Sequence, residues 1–185
     1  MNEVSLNTRL SINHPYLIIV MGVAGSGKST LAMRLATHFQ ATYLDADDFH
    51  SNDSKVLMSK GIPLTNEMRV PWVGRINERL NLAVINNETV VLAFSGLRKA
   101  HRELLRITPQ VKVFIFLDVD KNIITARVRA RQDHFMNPLL VDSQFATLES
   151  PDEEPDVITL SGDKNLELLV NEALTEITHF FNKAE

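Results

Sequence analysis

The chain has 185 residues, 44% of them hydrophobic and 23% charged, values of an ordinary globular protein of one domain rather than a disordered or fibrous chain. Its 19 Lys and Arg against 23 Asp and Glu leave a net charge of −4, so no general field attracts a polyanion and any anion must be held by local groups. Cysteine is absent, which excludes disulfides, thiolate zinc sites and cysteine nucleophiles and fits a reducing compartment.

Residues 1–14 are polar without a clean period and read as a tail ahead of a single domain over 15–185. Tyr16 to Met21 is a continuous apolar run, the pattern of a strand covered on both faces. It is too short to cross a bilayer, which takes ~20 residues, and it lacks the flanks of a secretory leader, so a soluble, cytoplasmic protein is expected. A glycine-rich turn follows. Leu31, Leu35 and Phe39 then recur every four positions and predict a helix from Lys28 to Phe39. Thr42 to Leu44 reads as a short second strand, and residues 52–68 as irregular, broken by Gly61 and Pro63.

A helix is predicted from near Trp72 to Ile85, a third strand over Thr89 to Phe94, and a short basic helix from Leu97 to Arg106. A fourth strand spans Val111 to Leu117, followed by helices over Asp120 to Arg131 and Leu139 to Leu148. The acidic stretch Glu149 to Asp156 is most simply a solvated loop. A fifth strand over Asp156 to Leu160 and a closing helix over Leu166 to Phe181 complete the chain. Strands alternating with helices predict an α/β fold, a parallel sheet with helices on both faces.

Gly22-Val23-Ala24-Gly25-Ser26-Gly27-Lys28-Ser29 fits G-x-x-x-x-G-K-[ST], between a predicted strand and a predicted helix. Glycines let backbone N–H groups turn inward around phosphate oxygens, Lys28 adds a point charge, and the Ser29 hydroxyl can ligate Mg²⁺. The helix beginning here adds its positive end, and Thr30 continues the run.

The second strand ends in Asp45-Ala-Asp47-Asp48-Phe-His50. Beside a phosphate cradle, a carboxylate there can orient a hydroxyl, take its proton or hold a water on Mg²⁺; alternatively the run is a solvated acidic turn. The third strand ends at Ser95 without an acid, and no N-K-x-D run is present, which disfavours GTPases and motor ATPases. Arg127 and Arg131 share a helix face and suit either a lid that closes on phosphates or a solvated basic helix end. Arg98, Lys99, His101 and Arg102 form a second basic cluster, for an anionic acceptor or for ordinary surface. The six histidines show no i,i+4 metal pair, and Trp72 reads as core.

These motifs resemble the gluconokinase family of P-loop small-molecule kinases. The resemblance runs from Ile18 to Glu149. Beyond the phosphate motif it includes Asp45-Ala-Asp-Asp-Phe-His50, Met58-Ser-Lys-Gly-Ile-Pro-Leu-Thr65 and Arg69-Val-Pro-Trp72. It continues through Ser95-Gly-Leu-Arg-Lys-Ala-His-Arg102, Arg131-Gln-Asp-His-Phe-Met136 and Ser143-Gln-Phe-Ala-Thr-Leu-Glu149. Three places depart from the family pattern. An acidic D-x-D-R reads Asn66-Glu67-Met68-Arg69, an N-x-x-K-M run reads Ser54-Lys-Val-Leu57-Met58, and a Tyr-Arg pair reads His101-Arg102.

The resemblance implies strand order 2-3-1-4-5, a small helical lid around 127–150, ATP and Mg²⁺ as co-substrates, and often a homodimer. It implies transfer of the γ-phosphoryl group of ATP to the 6-hydroxyl of D-gluconate. In that scheme Lys28, Asp47 and Arg131 are catalytic, and residues 22–30 with Arg127 bind the nucleotide. Asp47, His50, Arg69, Arg102 and His134 face the acceptor, and Ser29 and Asp47 are the metal-side oxygens. A kinase for a related sugar acid or another small alcohol, and a weakly catalytic ATP-binding regulator, are the alternatives.

Overall fold

The computed structural model describes residues 14–130 and 139–184. Arg131 and His134 lie outside those residues, as does nearly all of the expected tail.

Strand β1 (Tyr16–Met21) is buried at all six positions because it runs through the middle of a parallel sheet. It pairs with β3 (Val90–Phe94) on one side and β4 (Val111–Asp118) on the other. β2 (Thr42–Asp45) flanks β3 and β5 (Val157–Ser161) flanks β4, so the order is β2-β3-β1-β4-β5. Alternate side chains serve opposite faces, as the pleat requires. Ile18, Val20, Val91 and Ile115 pack under helices α1 (Lys28–Phe39) and α7 (Leu166–Ala184), against Leu31, Leu35, Ile177 and Phe181. Leu17, Ile19, Leu92, Phe94 and Phe114 pack on the other face against Trp72, Val73, Ile76 and Leu80 of α3 (Asn66–Ile85) and Leu105 of α4 (Lys99–Arg106). A third cluster caps the carboxyl ends of the strands. There Val23 and Leu97 meet Ile124 and Val128 of α5 (Lys121–Ala130) and Val141 of α6 (Leu139–Thr147).

Two helical segments depart from expectation. Asn52–Ser59 forms α2, started by the Ser51 hydroxyl, which accepts from the Ser54 N–H at 3.2 Å. α3 begins at Asn66, six residues before Trp72, with Thr65 as its cap. Pro71 therefore lies inside α3 rather than marking its start. Ser51 and Thr65 were the available start signals; the short segments behind them lack the apolar periodicity that marks a long helix. No described helix is long and apolar enough to cross a membrane.

Candidate active site

The P-loop sits where β1 hands over to α1. Its fold is set by residues adjacent in the chain. Gly25 has φ +84° and Gly27 φ +97°, a region that L side chains rarely adopt, and a Cβ at Gly25 would stand 3.0 Å from Val128. Gly27 precedes α1 without any side-chain cap, so the first helical N–H groups stay available to an anion. Gly22 N–H donates to Ser95 O at 3.2 Å, which ties the start of the loop to the end of β3.

A cavity of about 570 Å³ opens from this loop. Lys28 and Ala24 line its phosphate side; Tyr43, Asp45, Asp47, Asp48 and His50 come from the end of β2 and the turn after it. Lys55 and Met58 of α2, Arg69 and Trp72 of α3, Leu97, and Ser143 and Gln144 of α6 close the remaining walls. The carboxylates after β2 and the P-loop lysine thus share one cleft at the carboxyl ends of the strands, where parallel sheets bind ligands.

The turn carrying Asp47 is held from α3. Trp72 Nε1 donates to Ala46 O at 2.6 Å, and Arg75 Nε donates to Phe49 O at 2.7 Å. Asp45 accepts the Asp47 N–H at 3.0 Å, turning the chain into one 3₁₀ turn, Ala46–Phe49. The Asp47 side chain is 69% exposed in the cleft, with His50 Nε2 at 3.9 Å from its carboxylate. His50 is buried and stacks on Trp72 with ring centroids 4.3 Å apart, and Trp72 stacks in turn on Phe94. Burial, then the charges of Arg69, Arg75 and Lys55, push the His50 pKa down to about 4, so its ring is neutral at pH 7. Trp72 is core, as expected, and also a floor of the cleft.

Asp45 is a residue that sequence reasoning passed over in favour of Asp47. Its Oδ2 accepts from the Ser29 hydroxyl at 3.1 Å and from the Tyr43 hydroxyl at 2.9 Å. Burial, then the Asp45 charge, raise the Tyr43 pKa, so the phenol stays protonated as a donor. Asp45, not Asp47, is thus the carboxylate bonded to Ser29. The signal was the position of Asp45 at the strand end itself, directly across from Ala93 of β3.

Gln144 is the second residue passed over, although it lies in a quoted motif. Its Oε1 accepts the Ala24 N–H at 2.7 Å across 120 positions of sequence, joining α6 to the P-loop.

Arg69 is partly buried in the cleft wall and forms no ion pair among the described residues. Burial, then the charge of Arg98, lower its pKa. Arg102 is not in the cleft. Its side chain is fully buried and faces away, with Nε donating to both Glu154 oxygens at 3.1 and 3.0 Å and Nη1 to Gly96 O at 2.6 Å. Arg106 adds bonds to Glu154 at 2.5 Å and Asp156 at 2.6 Å. A charge that deep must be paired, so the helix turns Arg102 toward the carboxylates instead of the ligand. The stretch Glu149 to Asp156 is correspondingly not a merely solvated loop: Glu149 accepts the first α4 N–H, from Lys99, at 2.7 Å. Burial of Glu154 opposes its ionisation, but the bonds from Arg102 and Arg106 outweigh that and hold its carboxyl below the usual range.

Arg127 lies behind the P-loop. Both terminal nitrogens donate to Gly162 O at 3.1 Å, and Nη1 approaches Ser26 O at 3.5 Å. The expected lid roles of Arg131 and His134 fall outside the described residues.

Residues 17–151 match a family model described as an AAA domain. The chain is 37% identical to a gluconokinase of Arabidopsis thaliana over 90% of its own length and 94% of that protein. It is 38% identical to the thermosensitive gluconokinase of Escherichia coli K12, over 77% of this chain and 76% of that one. The crystal structure of a gluconokinase from Sinorhizobium meliloti superposes with a TM-score of 0.82 at 32% identity, covering 92% and 96% of the two chains.

Proposed function

The chain belongs to the gluconokinase family, and from that membership we propose that it transfers the γ-phosphoryl group of ATP to the 6-hydroxyl of D-gluconate. The observation that carries this reading is the sharing of one cavity by Lys28, Asp47 and Arg69. Such a cavity has a phosphate end, a carboxylate and a carboxylate-binding cation, which are the three requirements of a kinase acting on a sugar acid.

Lys28 and the amides of Gly25, Gly27, Lys28 and Ser29, with Thr30 continuing the helix, hold the β- and γ-phosphates, while the Ala24 N–H is taken by Gln144. The Ser29 hydroxyl and Asp45 carboxylate are hard oxygens 3.1 Å apart, and no group of three acidic or histidine side chains forms a protein-only cage among the described residues. That donor set fits Mg²⁺, which is held by one or two protein oxygens together with phosphate and water, and which neutralises charge on the β- and γ-oxygens when bound. Asp47 orients the acceptor hydroxyl and takes its proton as the new O–P bond forms and the bond to the β-phosphate bridging oxygen breaks, releasing ADP. His50, neutral at working pH, adds no positive charge beside Asp47 and offers a ring nitrogen to an acceptor hydroxyl. Arg69 receives the acceptor's carboxylate; its planar fork fits a bidentate pair and no protein carboxylate competes among the described residues. Gln144 holds the P-loop to α6 on the acceptor side. Arg127 belongs to the nucleotide side, where it holds Gly162 O behind the P-loop.

The test is ADP release from Mg·ATP with a panel of aldonates, with phosphorus NMR of the product. Turnover with gluconate and a 6-phosphate ester is the expected result. Turnover with a different aldonate alone reassigns the acceptor. ATP binding without ADP release from any sugar acid replaces the enzyme with a nucleotide-binding regulator.

A further inference from the structure

The first turn of α3 carries Arg69, yet the rest of α3 holds that turn poorly. Pro71 has no N–H, so the Glu67 carbonyl receives no helical hydrogen bond from it. Thr65 caps the turn only through a long bond, 3.4 Å to the Met68 N–H. Something outside the helix must therefore set where the Arg69 guanidinium points.

A contact from α4 reaches this turn. His101, in the first turn of α4, is 3% exposed, and its Nε2 lies 3.0 Å from Oδ1 of Asn66, the first residue of α3. A neutral ring protonated at Nε2 donates to that amide oxygen. Burial, then the charges of Arg69 and Arg98, lower the His101 pKa; Glu149 opposes this and Arg102 adds to it. The ring is thus uncharged at neutral pH, which suits a site where Arg69 and Arg98 already concentrate positive charge. The contact joins two helices across 35 residues of sequence.

We propose that the His101–Asn66 hydrogen bond positions Arg69 for the acceptor's carboxylate. The proposal rests on the reading of Arg69 given above, and makes His101 a positioning residue that never touches substrate. Removing the bond frees the first turn of α3 and weakens acceptor binding while leaving the phosphate cradle as it was.

Steady-state kinetics of the whole enzyme with gluconate and Mg·ATP test this on H101F, N66L and N66D. H101F and N66L each raise KM for gluconate about tenfold, the loss of one partly buried hydrogen bond, with KM for ATP unchanged. N66D keeps an acceptor oxygen and stays near the wild-type value. The double variant is no worse than either single one, and H101F adds nothing in an Arg69→Ala background. A parallel rise in KM for ATP, or an equal effect of H101F with and without Arg69, overturns the proposal. Should H101F fail to fold, N66L carries the same test, because Asn66 is exposed. Hydrogen exchange separates this idea from the functional reading. The amides of Arg69 and Val70, the first of α3 with helical acceptors, lose protection in both variants without any substrate present, and unchanged protection overturns the tether even if gluconate is phosphorylated. Wild type inactive on gluconate refutes the substrate, and exchange at Arg69 and Val70 still decides the tether.

Discussion

The two ends of the cleft are built on different principles. The phosphate end is one contiguous run, residues 22–30, shaped by glycine dihedrals and by N–H groups that the backbone itself supplies. The other end, proposed for the acceptor, is assembled from side chains of several elements, among them Asp47 after β2, His50 on Trp72, Arg69 on α3 and Gln144 on α6. The first takes its shape from near neighbours in the chain and is tied in place by Ser95 and Gln144. The second depends on how α3, α4 and α6 dock, and can drift in sequence wherever two contacting residues change together.

The contrast can be broken or sharpened by substitution. The largest effect is expected at the reacting centre. Asp47→Asn lowers kcat by about 10²–10⁴-fold while calorimetry still detects ATP binding, because the cradle does not use that carboxylate. Retained turnover would remove Asp47 from the chemistry. Next comes the buried ion cluster around Arg102, the residue that the resemblance implied for the acceptor. Glu154→Ala strands the Arg102 charge and lowers unfolding free energy by about 3–5 kcal/mol in urea titrations. A large change in gluconate KM in the fraction that stays folded would return Arg102 to the site.

Acid acts on the acceptor end through His50. Its folded pKa, about 4, lies below the unfolded value of 6.5, so the unfolded chain takes up a proton first as pH falls. Stability is full above about pH 6.5 and declines by up to about 3 kcal/mol toward pH 4. His50→Phe flattens that decline, and an unchanged pH profile of the urea midpoint would contradict the burial argument. Arg69→Gln raises KM for gluconate about 10–100-fold, the range for a hydrogen bond to a charged group, with KM for ATP unaffected. Smallest is Gln144→Ala, which frees the Ala24 N–H and costs about 1 kcal/mol of transition-state stabilisation, read as a several-fold fall in kcat/KM.

Tyr16 to Met21 and Lys28 to Phe39 were readable because periodicity and glycine punctuation are local signals, and both elements occur at the expected residues. The first turn of α3 was not readable, because Pro71 resembles a helix start when only the chain is in view. Asp45 and Asp47 could be placed beside a phosphate cradle from their strand end. Which of them meets Ser29 depends on a 3₁₀ turn pinned by Trp72, 26 residues away.

Sequence alone determined the parallel α/β architecture, the phosphate cradle and the family, since each rests on local patterns or on motifs that are each one short run of chain. Only the tertiary structure decided that Arg102 serves Glu154 and not the ligand, that Gln144 reaches the P-loop, and that His101 meets Asn66. The reason is that a long polar side chain takes whichever partner helix docking brings within about 3 Å, and docking is settled by the packing of apolar faces far from the motif.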